Sequence, residues 1–141
     1  MAKRDFLIAN QARAQKERVA EEAIRAMVLK FNKSGIALAE QLKIPANPTP
    51  FVVHFSHDAG QLYIGRCCAT AGEKIVIELF YECVSAEIIA HELAHAIDFY
   101  IRGKDADHDN YWQWIYHILG GKENYLQEME NITRRFGVGC F

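Results

Sequence analysis

Two histidines one helical turn apart with a glutamate between them, His91-Glu92-Leu93-Ala94-His95, are the residues of this chain best suited to do chemistry. On a helix, positions i and i+4 share one face. Imidazoles placed there can bind a single zinc ion at Zn–N distances of about 2.0–2.1 Å. Glu92 is one residue round the helix from His91, beside such a metal rather than on it. Its carboxylate can take a proton from a metal-activated water and hand it to a leaving amine. The chemistry implied is peptide-bond hydrolysis. A shuffled chain of this composition would show H-E-x-x-H in roughly 2% of cases, so the surrounding sequence has to support it.

A catalytic zinc takes three protein ligands and keeps one position open. The metzincin pattern H-E-x-x-H-x-x-G-x-x-H would put glycine and histidine where Asp98 and Ile101 stand, so the third ligand lies elsewhere. His108, thirteen residues after His95 and just past Gly103, is the candidate. Its competing reading is a surface histidine in the acidic loop Asp105-Ala106-Asp107-His108-Asp109. Asp98 also has two readings: it orients a ligand imidazole from behind, or it pairs with Arg102 at i,i+4. His54, His57 and His117 read as structural or exposed. Trp112, Trp114 and Tyr116 read as packing residues, with Tyr111 or Tyr116 as candidates to stabilise an oxyanion, and Arg134-Arg135 as a solvated helix end. No G-x-S-x-G, P-loop or dinucleotide fingerprint occurs.

The elements that must position these residues follow from periodicity. Residues 9–31 carry Ala12, Val19, Ala20, Ala23, Ile24, Met27, Val28 and Phe31 at helical spacing between charged residues, which predicts an amphipathic helix. Asn32-Lys33-Ser34-Gly35 interrupts it, and a short helical stretch is expected over 36–43. Pro45, Pro48 and Pro50 then enforce extended chain. Phe51 to Ser56, Leu62 to Ala69 and Ile75 to Leu79 read as strands separated by turns. Their short connections predict a three-stranded antiparallel meander covered by helices on one face. The metal helix is capped by Ser85, carries Glu87 in its first turn and stops at Gly103. A second helix is expected from about Asp107–Asp109 to Gly120-Gly121, and a third over 123–136. The class is α+β.

From about Phe51 to Gly121 the chain resembles the SprT-like zinc metallopeptidases, which include the bacterial SprT proteins and the Spartan proteases. The resemblance rests on His91-Glu92-Leu93-Ala94-His95, on His108 with Trp112 four positions beyond, and on Tyr111-Trp112-Gln113-Trp114-Ile115, which looks like the family's post-ligand helix. Gly65-Arg66-Cys67-Cys68 and Ile75-Val76-Ile77-Glu78-Leu79 are similar to its strand segments. The resemblance implies a zincin-like domain, zinc held by His91, His95 and His108, Glu92 as catalytic base, and a protein or peptide substrate. Two departures stand out. Asp109 replaces the glycine that usually follows the third histidine, which puts a carboxylate close to the zinc site. The C-terminal zinc ribbon and the DNA-binding regions of relatives are absent, so repair of DNA–protein crosslinks is not carried over.

Composition bounds the rest. The chain has 141 residues, half of them hydrophobic, which fits one globular domain: a helical segment over 1–45 and a sheet with metal-site helices over 51–136. The net charge is −2, but it is polarised, with a net of +4 over 1–45 and −6 beyond. A solvated helix face is the simpler reading of the positive segment, and weak DNA association the other. Neither a signal peptide nor a membrane-length apolar run is visible, so a cytoplasmic protein without membrane contact is expected. Cys67, Cys68, Cys83 and Cys140 form no C-x-x-C pair and read as free thiols. The expected function is that of a zinc metallopeptidase, with the strand at Ile75 to Leu79 offering an edge for substrate. The alternatives are a non-catalytic zinc-site protein or a nucleic-acid-associated interaction module.

Overall fold

The computed structural model describes residues 3–46, 48–56, 63–68, 74–80, 85–103, 108–121 and 139–140. The apolar stripe of the N-terminal segment lies on one long helix, α1 (Lys3–Asn32), which begins earlier than its periodicity indicates. Ala20, Ile24, Val28 and Phe31 recur every three or four residues and are all buried, against strand and helix partners described below. Full burial of each larger side chain contributes about 1.5–3 kcal/mol relative to exposure. Val19, on the opposite side, stays exposed. At the helix end, the Asn32 side chain donates to the Ile44 carbonyl (2.9 Å) and accepts from the Ile44 amide (2.7 Å). This two-bond splice ties the extended segment back onto the helix.

Ser34 caps the second helix, α2 (Gly35–Ala39), by accepting from the Ala37 amide. The helix is shorter than the expected 36–43. Gln41 turns the chain with a positive φ of 53°, which ends the helix before the prolines are reached.

Three six-residue strands follow, β1 (Phe51–Ser56), β2 (Tyr63–Cys68) and β3 (Ile75–Phe80), joined by a two-residue strand β4 (Gly139–Cys140). Their order is β1-β3-β2-β4. The antiparallel meander is therefore corrected to a mixed sheet: β1 pairs parallel with β3, β2 antiparallel with β3, and β4 parallel with β2. The reason lies in the side chains. Phe51, Val53 and Phe55 face Ile75, Ile77 and Leu79 across the ladder in register, and all six are buried. The two strands with matching bulky inner faces thus sit side by side. β2 brings Gly65 and Cys67 opposite Leu79 and Ile77 on the other side of β3. The segment between β1 and β3 includes β2 and is long enough for a parallel crossover. On the outer face, Arg66 donates to Glu78 (2.6 Å) from the register partner position. Cys67 is in no disulfide.

The metal-motif helix, α3 (Ala86–Arg102), begins where expected. Ser85 accepts from the Ile88 amide (3.2 Å), and Glu87 lies in the first turn. The helix ends at Gly103, whose φ of 69° lies in the left-handed region that glycine enters without cost. α3 packs against β2 and β3 on one side and α1 on another. Its face is so fully enclosed that Ile88, Leu93, Ala94 and Ile97 have no exposure. The next helix, α4 (Asn110–Ile118), packs on α3 and is capped by Asp109, which accepts from the Trp112 amide (3.0 Å). The helix expected over 123–136 lies outside the described residues. Among the described residues, no helix is long and apolar enough to cross a membrane.

Candidate metal centre

The helical spacing of His91 and His95 places their rings 5.1 Å apart, edge to face. His108, two residues before α4, meets both. Its Nε2 lies 3.1 Å from His95 Nε2 and 3.2 Å from His91 Nε2. A tetrahedral zinc at the usual Zn–N distance sets its nitrogen ligands about 3.3–3.4 Å apart. Three imidazole nitrogens converging at this separation are a donor set that fits a zinc ion. Among the described residues they form the group able to hold a metal. His54 on β1 and His117 at the end of α4 are exposed and stand apart from it; His57 lies outside the described residues.

Trp112 forms the floor of the cluster. Its ring centroid lies 4.8, 5.0 and 4.6 Å from those of His91, His95 and His108, and the residue is fully buried. Tyr116, also buried, packs against Trp112 at 5.0 Å and His91 at 5.9 Å. Of the three aromatics expected to be packing residues, Trp112 and Tyr116 pack on the imidazoles themselves, whereas the expectation for Trp114 is corrected. Trp114 points outward and is exposed.

Glu92 is fully buried beside His91, with its Oε1 3.8 Å from His91 Nε2. Neither carboxylate oxygen has a hydrogen-bond partner among the described residues. Burial without compensation pushes its carboxyl well above the usual carboxylate range.

What seats Glu92 is Gly65 of β2, which the sequence pattern alone does not mark. A Cβ at position 65 would lie 2.9 Å from Glu92 Cγ and 3.1 Å from its Oε1. Any side chain there must displace the carboxylate or the strand. Gly65→Ala is expected to cost about 1–3 kcal/mol of stability through overpacking. The same substitution in a Glu92→Ala background should cost little, because the crowded atoms are gone. Thermal melts of the four proteins check this, and an equal loss in both backgrounds would show that Gly65 serves the strand rather than the glutamate.

Of the two readings of Asp98, the structure supports the pair with Arg102. Asp98 is buried and receives Nε and Nη2 of Arg102, the latter at 2.6 Å. Arg102 also donates to both oxygens of Asp109 at 2.9 Å. Arg102 and the Trp112 amide together hold the Asp109 carboxyl below its ordinary range. The Asp109 carboxylate thus turns toward Arg102. Tyr111 lies under the Arg102 guanidinium, 4.4 Å from its centre, which places it in this ion cluster.

The family model of Astacin (Peptidase family M12A) matches residues 5–138. The chain belongs to the astacin family. It is accordingly a zinc metallopeptidase, a hydrolase of protein or peptide substrates with zinc as its cofactor. No curated protein and no solved structure matches it. Within the astacin family, this member is displaced from the metzincin spacing. The glycine that ends the metal helix is Gly103 rather than position 98, and the third clustered imidazole is His108 rather than position 101. Because α3 continues to Arg102, Ile101 remains on the helix.

Proposed function

We propose that His91, His95 and His108 are the zinc ligands of this peptidase and that Glu92 is its general base. We further propose that the site is arranged in the SprT-like manner on a zincin-like fold, with the third ligand after a longer turn and an aromatic four residues beyond it. The observation that carries the reading is the convergence of three ring nitrogens next to a buried carboxylate that has no hydrogen-bond partner among the described residues. When bound, zinc supplies a water of lowered pKa and polarises the scissile carbonyl. Glu92 accepts the proton of the attacking water on a carboxylate oxygen and returns it to the nitrogen of the departing amine. Gly65 leaves room for that carboxylate, and the Trp112 floor keeps the imidazoles in one orientation.

An extended substrate is best held as an added strand, through main-chain hydrogen bonds. The strand expected to receive it, β3, is hydrogen-bonded on both sides and cannot. β2 borders Glu92, and among the described residues its outer edge pairs with β4 only at positions 63 and 65, so its stretch 66–68 takes that role in this reading.

The test is cleavage of a denatured, labelled protein by the zinc-loaded chain. Fragments should appear with zinc, vanish on chelation and return on readdition. Complete absence of cleavage by a chain carrying one equivalent of zinc would favour the non-catalytic zinc-site alternative.

A further inference from the structure

The guanidinium of Arg102 joins two carboxylates from either side of the turn that delivers His108. Asp98, almost wholly buried, stands three residues beyond His95 on α3. Asp109 is the residue directly after His108 and the cap of α4. Arg102 donates to both oxygens of each. Its planar fork makes this possible, whereas a lysine ammonium is a single point and cannot match two carboxylates bidentately. Tyr111 lies against the guanidinium face and limits its rotation. On the far side, Gln113 donates to the His108 carbonyl at 3.0 Å. The backbone of His108 is thus held by α4, and its neighbour is fastened to the metal-motif helix.

We propose that Arg102 is a positioning residue for His108, and that the Asp98–Arg102–Asp109 clamp sets the affinity of the three-histidine site for zinc without touching the metal. The proposal rests on His108 being the third ligand. Two of the three imidazoles share a rigid helix, so their mutual placement comes with α3. The third comes from another element, and its placement depends on whatever locks α4 to α3. The clamp bridges the last turn of α3 and the cap of α4, adjacent to the ligand. An ion pair that merely stabilised the helix end would have no reason to include the residue next to His108.

The experiment measures the zinc dissociation constant of the full chain by competition with a chromophoric chelator. Arg102→Ala is expected to weaken binding about 10–100-fold, the usual effect of removing a group that orients a ligand. Arg102→Lys should recover only part of the loss. Asp109→Asn keeps the helix cap but gives up the charged pair, and should weaken binding in the same direction; it carries the test if Arg102→Ala does not fold. The deciding measurement is in a His108→Ala background, where Arg102→Ala should weaken zinc no further. Wild-type affinity in both Arg102→Ala and Asp109→Asn, or an equal loss with and without His108, would overturn the proposal. Unchanged zinc affinity in His108→Ala alone would overturn the three-ligand reading beneath it, and the clamp's role with it.

Discussion

Glu92→Gln should retain a full equivalent of zinc and lose nearly all proteolysis, with kcat/KM falling about 10²–10⁴-fold. The substitution preserves the shape of a side chain that fits directly against Gly65, so packing is undisturbed. It touches none of the three imidazoles. What it removes is the carboxylate's capacity to accept a proton. Stability should not suffer. Burial raises the Glu92 carboxyl above its ordinary range, so in the metal-free protein ionising it at neutral pH opposes folding. The sign follows directly: with the folded-state pKa raised, the group's favourable contribution is complete in acid, below the ordinary carboxylate pKa, and is lost as pH rises toward the folded value. A neutral amide avoids that loss, and metal-free Glu92→Gln should melt at or above the wild-type temperature at pH 7. Metal analysis, a cleavage assay and a melt on one preparation check all three points. Equal cleavage by wild type and variant would remove Glu92 from the chemistry.

Replacing the histidines should act on the metal first. His91→Ala and His95→Ala should abolish zinc binding, and His108→Ala should weaken it severely. At free zinc about 1,000-fold above Kd, ligand binding stabilises a fold by about 4 kcal/mol. For a chain of this size that corresponds to a zinc-dependent rise in Tm on the order of 10 °C. All three variants should lose that rise. Their metal-free forms should differ, because the rings are not equally enclosed. His91 is buried against Trp112 and Tyr116, so truncating it leaves a cavity. His108 is only half buried, so its loss should cost the metal-free protein little. Melts with and without zinc, beside metal analysis, separate the two effects. Stoichiometric zinc kept by His108→Ala under mild chelation would remove that residue from the site.

The parts of the molecule legible in the sequence are those governed by local rules. Ser85 and Gly103 bound α3 by cap chemistry, and the i,i+4 spacing of His91 and His95 dictates their shared face. The stripe Ala20, Ile24, Val28, Phe31 declares the buried side of α1. Its described basic residues, among them Arg18, Arg25 and Lys30, lie exposed among Glu21 and Glu22, the pattern of a solvated helix face. Strand pairing was misjudged because short loops argue for neighbours, while the matched apolar faces of β1 and β3 outweigh loop length. Gly65 and Arg102 were missed as site residues for a related reason. Gly65 matters through what an absent Cβ would strike across the sheet. Half of the Arg102 pairing, to Asp98, was visible at i,i+4, but the other half crosses a turn whose path no periodicity describes.

The three imidazoles and the seat of Glu92 are assembled by contacts of different range. His91, His95 and His108 lie within 18 residues of sequence, on α3 and just before α4, so one short closure brings them together. Gly65 reaches Glu92 only after β2 has docked, from the far side of β3 in sequence. Contacts between distant segments are slower to form than local ones. On the proposed assignment of ligands and base, a chain leaving the unfolded state completes its three-histidine segment before its sheet, and becomes competent to hydrolyse only when β2 closes over the glutamate. Chelation reports that this segment has formed, whereas turnover reports that the whole domain has.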